Sequence, residues 1–233
     1  MEITKQNTVA EIVAKNMGSD RVFSKYKIDF CCGGGVTMEV ACKESGVAFE
    51  VLKNEIETIA TKISSEVNPI NLDLNNLTHE VEKVYYNYFN ENIQQLLPLA
   101  KKVAEVHGNQ HQEVIEINTL FKEIAFAFTK MIEASKLNLL PLIEKIDKSN
   151  NKINSKLKKD FSNIIYQNDI AQNLMINSFK EIVKLSSNYT VPESACSSYK
   201  LLYQKLHEFE FKLHKYIHFE KNILFPKVLK IIA

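Results

Sequence analysis

Two cysteines stand side by side and run straight into three glycines in Phe30-Cys31-Cys32-Gly33-Gly34-Gly35. A disulfide between neighbours closes a strained ring that distorts the peptide bond, so open thiols are expected here. The glycines permit positive φ and let backbone N–H groups approach a thiolate or bound anion, which lowers a thiol pKa and makes a better nucleophile or ligand. The stretch therefore predicts an exposed thiol turn with Cys31 and Cys32 as its reactive residues. Such a turn can hold iron or an iron-sulfur cluster, pass on iron or sulfur, or exchange disulfides. A pair of thiols leaves a metal short of ligands, and the rest would come from Cys42 or from a second copy of the chain, which predicts a homodimer through this region. For Cys42, on the helix after the turn, ordinary core packing is the preferred reading. Cys196, in the join Pro192-Glu193-Ser194-Ala195-Cys196, reads as a small buried hydrophobe.

The histidines add less. His214 and His218 have the spacing of two metal ligands on one helix, but they fall off the apolar stripe and read as a solvated or interfacial face. His107 ends a long helix, where a cation complements the dipole. His79, His111 and His207 carry no functional reading. Tyr86 and Tyr216 read as packed phenols with satisfied hydroxyls, and no Cys-x-x-Cys-His haem motif accompanies them.

The elements that must position these residues are helices. Four of the six glycines fall between Gly33 and Gly46, and no β-type alternation follows them, so the fold class is all-α. Thr8 with Glu11 has capping-box spacing and opens a short helix ended by Gly18. Ser19 or Asp20 starts a second, Thr37 caps a third that stops near Gly46, and a fourth runs from about 48 to 62. Residues 1–64 thus form a small helical domain, and Pro69 with its polar neighbours marks a linker over 64–73. Long amphipathic segments near 74–107, 110–147, 156–187 and 193–231 predict a four-helix bundle over 74–233. Its stripes run through Tyr86, Phe89, Ile93, Leu97 and Ala100; Val114, Ile117, Phe121, Ile124, Phe128, Met131 and Ser135; Phe161, Ile164, Asn168, Met175 and Phe179; and Leu202, Leu206, Phe209, Leu213, Tyr216, Glu220 and Ile223. The stretch from Met131 to Pro141 also aligns without gaps on that from Tyr216 to Pro226, an internal repeat that implies a pseudo-symmetric bundle. In each copy the first and fifth residues, Met131 with Ser135 and Tyr216 with Glu220, lie one turn apart on the inward face.

A net charge of +1 with a single arginine leaves no basic footprint for nucleic acid or an anionic membrane. No apolar run approaches the roughly 20 residues that span a bilayer, and the start lacks the pattern of a signal peptide, so a cytoplasmic location is expected. Four cysteines in 233 residues are no disulfide framework.

The order of "DFCCGGG" at 29–35, "LLPLAKKVAEVHGNQHQEV" at 96–114 and "TVPESACSSYKLLYQKLHEFEFKLHKYIHFEKNILFP" at 190–226 resembles the iron-sulfur cluster repair di-iron proteins, also called regulators of cell morphogenesis and NO signalling. The resemblance covers nearly the whole chain. It implies an ScdA-type N-terminal domain followed by a hemerythrin-like up-down four-helix bundle. It also implies a protein of the nitrosative and oxidative stress response that restores damaged iron-sulfur clusters, with damaged iron-sulfur proteins or a paralogue as partners. The implied cofactor is a non-haem di-iron centre held by four histidines and two glutamates. Laid along this sequence, the ligand positions fall on Tyr86, Met131, Ser135, Asn168, Tyr216 and Glu220, and Glu220 is the one family ligand retained. One carboxylate, two phenols, an amide, a hydroxyl and a thioether make a poor donor set for two irons. The expectation is a bundle that has lost its iron, with Glu220 buried in a metal-free knot of hydrogen bonds from Tyr86, Ser135, Asn168 and Tyr216. Two other readings stand beside this one: a non-enzymatic pseudo-hemerythrin that binds or regulates a partner, and a conventional di-iron protein with reassigned ligands.

Overall fold

Capping chemistry sets the starts of the short N-terminal helices in a computed structural model of the chain, which describes residues 2–16, 18–31, 33–62, 69–149 and 154–233. Helix α1 (Val9–Lys15) begins with a complete capping box: the Thr8 hydroxyl accepts from the Glu11 N–H at 3.2 Å, and the Glu11 carboxylate accepts from the Thr8 N–H at 3.1 Å. Gly18, at φ 83°, leads into α2 (Ser19–Lys25). Thr37 caps α3 (Met38–Ser45), which ends on Gly46 at φ 70°, and α4 (Phe49–Lys62) follows. Residues 63–68, most of the expected linker, lie outside the described residues, as does Cys32.

The remaining chain forms α5 (Leu74–Glu80), α6 (Asn87–His107), α7 (Glu113–Ala134), α8 (Leu140–Asp147), α9 (Ser155–Leu185), α10 (Ser197–Phe219) and α11 (Phe225–Ile232). The class is all-α, with no strand among the described residues. Contacts divide the chain into two units, one made of Met1–His79 with Leu213–Ala233 and the other of Glu80–Lys212.

Within Glu80–Lys212 the expected stripes are the buried faces. Phe121, Phe128, Phe161, Phe179 and Phe209 are all fully buried, and Phe209 takes the rings of Phe89, Phe121 and Phe179 at centroid distances of 4.9, 5.4 and 5.8 Å. Two stripe positions differ from expectation, and one of them is Ile164 in α9, which is only half-buried. In α6 the buried residue is Leu96, and Leu97 is half-buried, because Phe89, Ile93, Leu96, Ala100 and Val103 keep the alternation of four and three that holds one face inward.

Both copies of the internal repeat show the same local backbone. Wider π-helical turns occupy Ser135–Leu139 and Glu220–Leu224, and each is followed by a proline in the first turn of the next helix, Pro141 and Pro226. A proline ring clashes with the carbonyl four residues back and removes one N–H, so a widened turn at that place keeps the helix running. A third π-helical turn, Val81–Tyr86, has no proline in the first turn of the helix that follows it. The three wide turns begin or end on Tyr86, Ser135 and Glu220.

Candidate functional site

The cysteine turn is built onto the start of α1. That helix's first N–H groups have no intrahelical acceptors, and the turn supplies them: Ala10 N–H donates to the Gly34 carbonyl at 2.8 Å and Val9 N–H to that of Val36 at 3.0 Å. The close packing explains Gly34. A Cβ on Gly34 would stand 2.6 Å from the Phe30 carbonyl oxygen and 3.1 Å from the Ala10 Cβ. Positive φ is not the reason for the turn's glycines, because among the described residues Gly18 and Gly46 are the glycines that adopt it.

The expected exposed thiol is a buried one. Cys31 is 5 % exposed, since the turn is folded under α1 and its Phe30 ring is enclosed. The thiol's partner is also different from the expected cradle of N–H groups. Asp29 Oδ1 accepts from the Cys31 N–H at 2.9 Å and lies 3.2 Å from Cys31 Sγ, so a carboxylate faces the S–H. Asp29 and Gly33 line a cavity of about 480 Å³ that continues past Tyr26, Ile28, Val36 and Ser45.

The turn's carbonyls are held by the last part of the chain. His218 Nδ1 donates to the Phe30 carbonyl at 3.0 Å, and the Asn222 side-chain amide lies 3.5 Å from the Cys31 carbonyl and 3.1 Å from His218 Nδ1. The rings of His214 and His218 stand edge-on to Phe30, with centroids 6.2 and 6.1 Å away. Of the solvated or interfacial face expected for this pair, His218 is not solvated: it is 4 % exposed and holds the turn, while His214 is half-buried. Burial pulls its pKa down to about 4, against the opposing pull of the Phe30 carbonyl and of Asp20, which itself pairs with Lys215 at 3.1 Å.

A neutral buried imidazole has a consequence in acid. The unfolded chain takes up this proton near pH 6.5, the folded one only near 4, so stability from this group is complete above 6.5 and falls as pH drops towards 4. The expected loss is about 3 kcal/mol across that window. Glu210 acts in the opposite sense, because burial raises its pKa to about 7 although Tyr189 donates to it at 2.9 Å. The group is read by difference: urea unfolding of the wild type and His218→Gln between pH 4 and 7 should show the two stabilities converging as the pH falls.

Cys42 packs as expected. It is buried in α3, and burial pushes its thiol pKa up, which disfavours the thiolate. Cys196 is not the buried hydrophobe expected but an exposed thiol, with His107 Nε2 3.1 Å from its sulfur. The histidine expected only to complement a helix dipole thus has a specific neighbour.

The positions on which the resemblance would place iron ligands are buried. Tyr86 is 0 % exposed and its hydroxyl shares a 2.5 Å hydrogen bond with that of Ser135. Met131 is buried, and Asn168 is buried with its Nδ2 lacking a partner among the described residues. Ser135 and Asn168 line a cleft of about 540 Å³ together with Asn163, Gln167 and Lys145. Tyr216 and Glu220, in the other unit, are both fully buried. Among the described residues, no three or more His, Cys, Asp or Glu side chains group as a metal ion would need.

Asp29 and Asn222 are residues the sequence reading missed, and His218 is one whose role it did not find. Asp29 could have been found: it precedes Cys31 by two, the spacing at which an Asp side chain captures a backbone N–H. The other two are distant in sequence, and only their spacing of four along one helix hinted at a shared face.

Residues 5–60 match the ScdA_N family, described as a domain of unknown function (DUF542). The chain is 29 % identical to the iron-sulfur cluster repair protein ScdA of Staphylococcus haemolyticus over 226 residues, covering 97 % of this chain and 99 % of the relative. A probable iron-sulfur cluster repair protein of Haemophilus influenzae is 25 % identical over 96 % of this chain and 97 % of its own length. The iron-sulfur cluster repair protein YtfE of Yersinia pseudotuberculosis is 24 % identical over 90 % of both. No helix among the described residues is long and apolar enough to cross a membrane. Residues 5–60 thus match the ScdA_N domain, and the chain is similar along nearly its whole length to proteins named iron-sulfur cluster repair proteins.

Proposed function

We propose that this protein acts in the repair of iron-sulfur clusters damaged by nitrosative or oxidative stress, with the Cys31-Cys32 turn as its working site. The observation that carries the reading is the carboxylate of Asp29 at 3.2 Å from Cys31 Sγ, at the wall of a cavity. Asp29 accepts the thiol proton when Cys31 becomes a thiolate, and the thiolate then binds an incoming iron. Iron is cargo in this scheme. His218, uncharged at neutral pH, fixes the turn through the Phe30 carbonyl without adding a cation that would compete with a metal. Further thiolates come from Cys32 and from a second copy of the chain, in a cytoplasmic homodimer joined through the N-terminal domain.

The bundle in this reading holds no di-iron centre. Two of the six family positions, Tyr86 and Ser135, direct their hydroxyls at each other, and a phenol and an alcohol sharing a proton do not ligate iron as imidazole and carboxylate do. Met131 offers a soft thioether and Asn168 an uncharged amide, so the donor set does not fit two irons, and no step of the chemistry passes through such a centre.

The test is reactivation of a hydratase whose [4Fe–4S] cluster has been destroyed by NO. Adding the purified protein under anaerobic conditions with iron and a thiol reductant should speed the return of hydratase activity. Recovery no faster than in buffer would contradict the proposal.

A further inference from the structure

We propose that Cys196 and His107 form a second thiol site, one that captures small disulfides. It lies wholly within Glu80–Lys212 and stands independently of the repair chemistry assigned to the Cys31 turn.

The site is assembled from three places in the chain. His107 is the last residue of α6, and His111 and Glu113 follow across the turn into α7. Gly108 makes that turn tight: a Cβ there would lie 2.5 Å from the Ala104 carbonyl oxygen and 2.8 Å from the Ile115 side chain. The third place is the start of α10, where Lys200 N–H donates to the Cys196 carbonyl at 3.1 Å, so Cys196 directly precedes the helix and lies at the positive end of its dipole.

A hydrogen-bonded cluster packs beside the thiol–imidazole pair. His107 Nε2 is 3.1 Å from Cys196 Sγ, and its ring packs against Tyr199 with centroids 5.4 Å apart. Tyr199 donates to Glu113 at 3.1 Å and lies 3.1 Å from the Tyr203 hydroxyl; burial and these neighbours raise its pKa, which keeps it a donor. Glu113 also accepts from His111 Nδ1 at 3.1 Å, which leaves His111 Nε2 facing Ser194 Oγ at 3.5 Å. Cys196 itself is exposed, so the pair combines access, an adjacent base and a helix N-terminus, the three features that make a thiol react.

The reaction balances with a low-molecular-weight disulfide, RSSR, as oxidant. Cys196 passes its proton to His107 Nε2, and the thiolate attacks one sulfur of RSSR. The Cys196–S–S–R bond forms as the R–S–S–R bond breaks, and the departing RS⁻ takes the proton from His107 and leaves as RSH. The disulfide is reduced to one thiol while Cys196 is oxidised to the mixed disulfide.

The experiment uses glutathione disulfide as the probe on the full chain, with mixed disulfide at Cys196 followed by peptide mass spectrometry in wild type and His107→Gln. At about pH 7 the wild type should react roughly tenfold faster than the variant. At about pH 10, where an ordinary thiol ionises without help, the two rates should converge. That convergence separates a base from a merely structural residue, since a misfolded or less accessible variant would stay different at both pH values. Equal rates at pH 7, a gap that persists at pH 10, or no modification at Cys196 would each overturn the proposal.

Discussion

Gly34→Val is expected to destabilise the protein by about 3 kcal/mol or more, the range of overpacked or strained core substitutions. The first atoms the new side chain would meet are the Phe30 carbonyl oxygen and carbon, 2.6 and 3.0 Å from the added Cβ, and the nearest side-chain atom is the Ala10 Cβ at 3.1 Å. Neither can swing aside. The Phe30 carbonyl is held by His218, and Ala10 is held by its own N–H on the Gly34 carbonyl. Moving the turn would therefore break the contacts that organise Cys31. Gly35→Ala is the control, because a Cβ there meets nothing within 4 Å, and its effect should stay within about 0.5 kcal/mol. Urea unfolding midpoints decide the matter: similar midpoints for Gly34→Val and Gly35→Ala would show that the turn is loose.

Asp29→Asn is expected to lower the rate of hydratase reactivation about 10²-fold, and Cys31→Ser with Cys32→Ser to abolish it. The asparagine keeps the size of the side chain and an oxygen for the Cys31 N–H, but it cannot take a proton from the thiol. Its loss should therefore shrink as pH rises towards the range where thiols ionise unaided, whereas the serine variants should stay inactive at every pH. An Asp29→Asn protein as active as the wild type at neutral pH would mean that Asp29 only shapes the turn.

The fold was largely legible because each signal was local. Thr8, Thr37 and Gly46 marked helix ends by capping and φ, while Gly18, expected to end the first helix, leads into α2 instead, and apolar residues three and four apart marked the buried faces. The repeat ending in Pro141 and Pro226 was visible as a pattern, but its wide π-helical turns were not, since they express how a helix accommodates proline. The site was legible only in part. Cys31 was found by its neighbours, while its burial depends on α1 and on His218, contacts made across nearly the whole length of the chain. Cys196 misled for the same reason: a small apolar residue in a short join is usually buried, and nothing adjacent in sequence announced His107.

The claim that the chemistry belongs to the cysteine turn and not to the bundle is tested most directly by metal content. Protein purified without oxygen would be measured by elemental mass spectrometry as wild type, as Cys31→Ser with Cys32→Ser, and as Glu220→Gln. The account predicts iron at or below about one per chain, lost with the serines and unchanged by Glu220→Gln. About two irons per chain, insensitive to the serines and lost with Glu220→Gln, would mean that the bundle is a working di-iron site and would contradict the account.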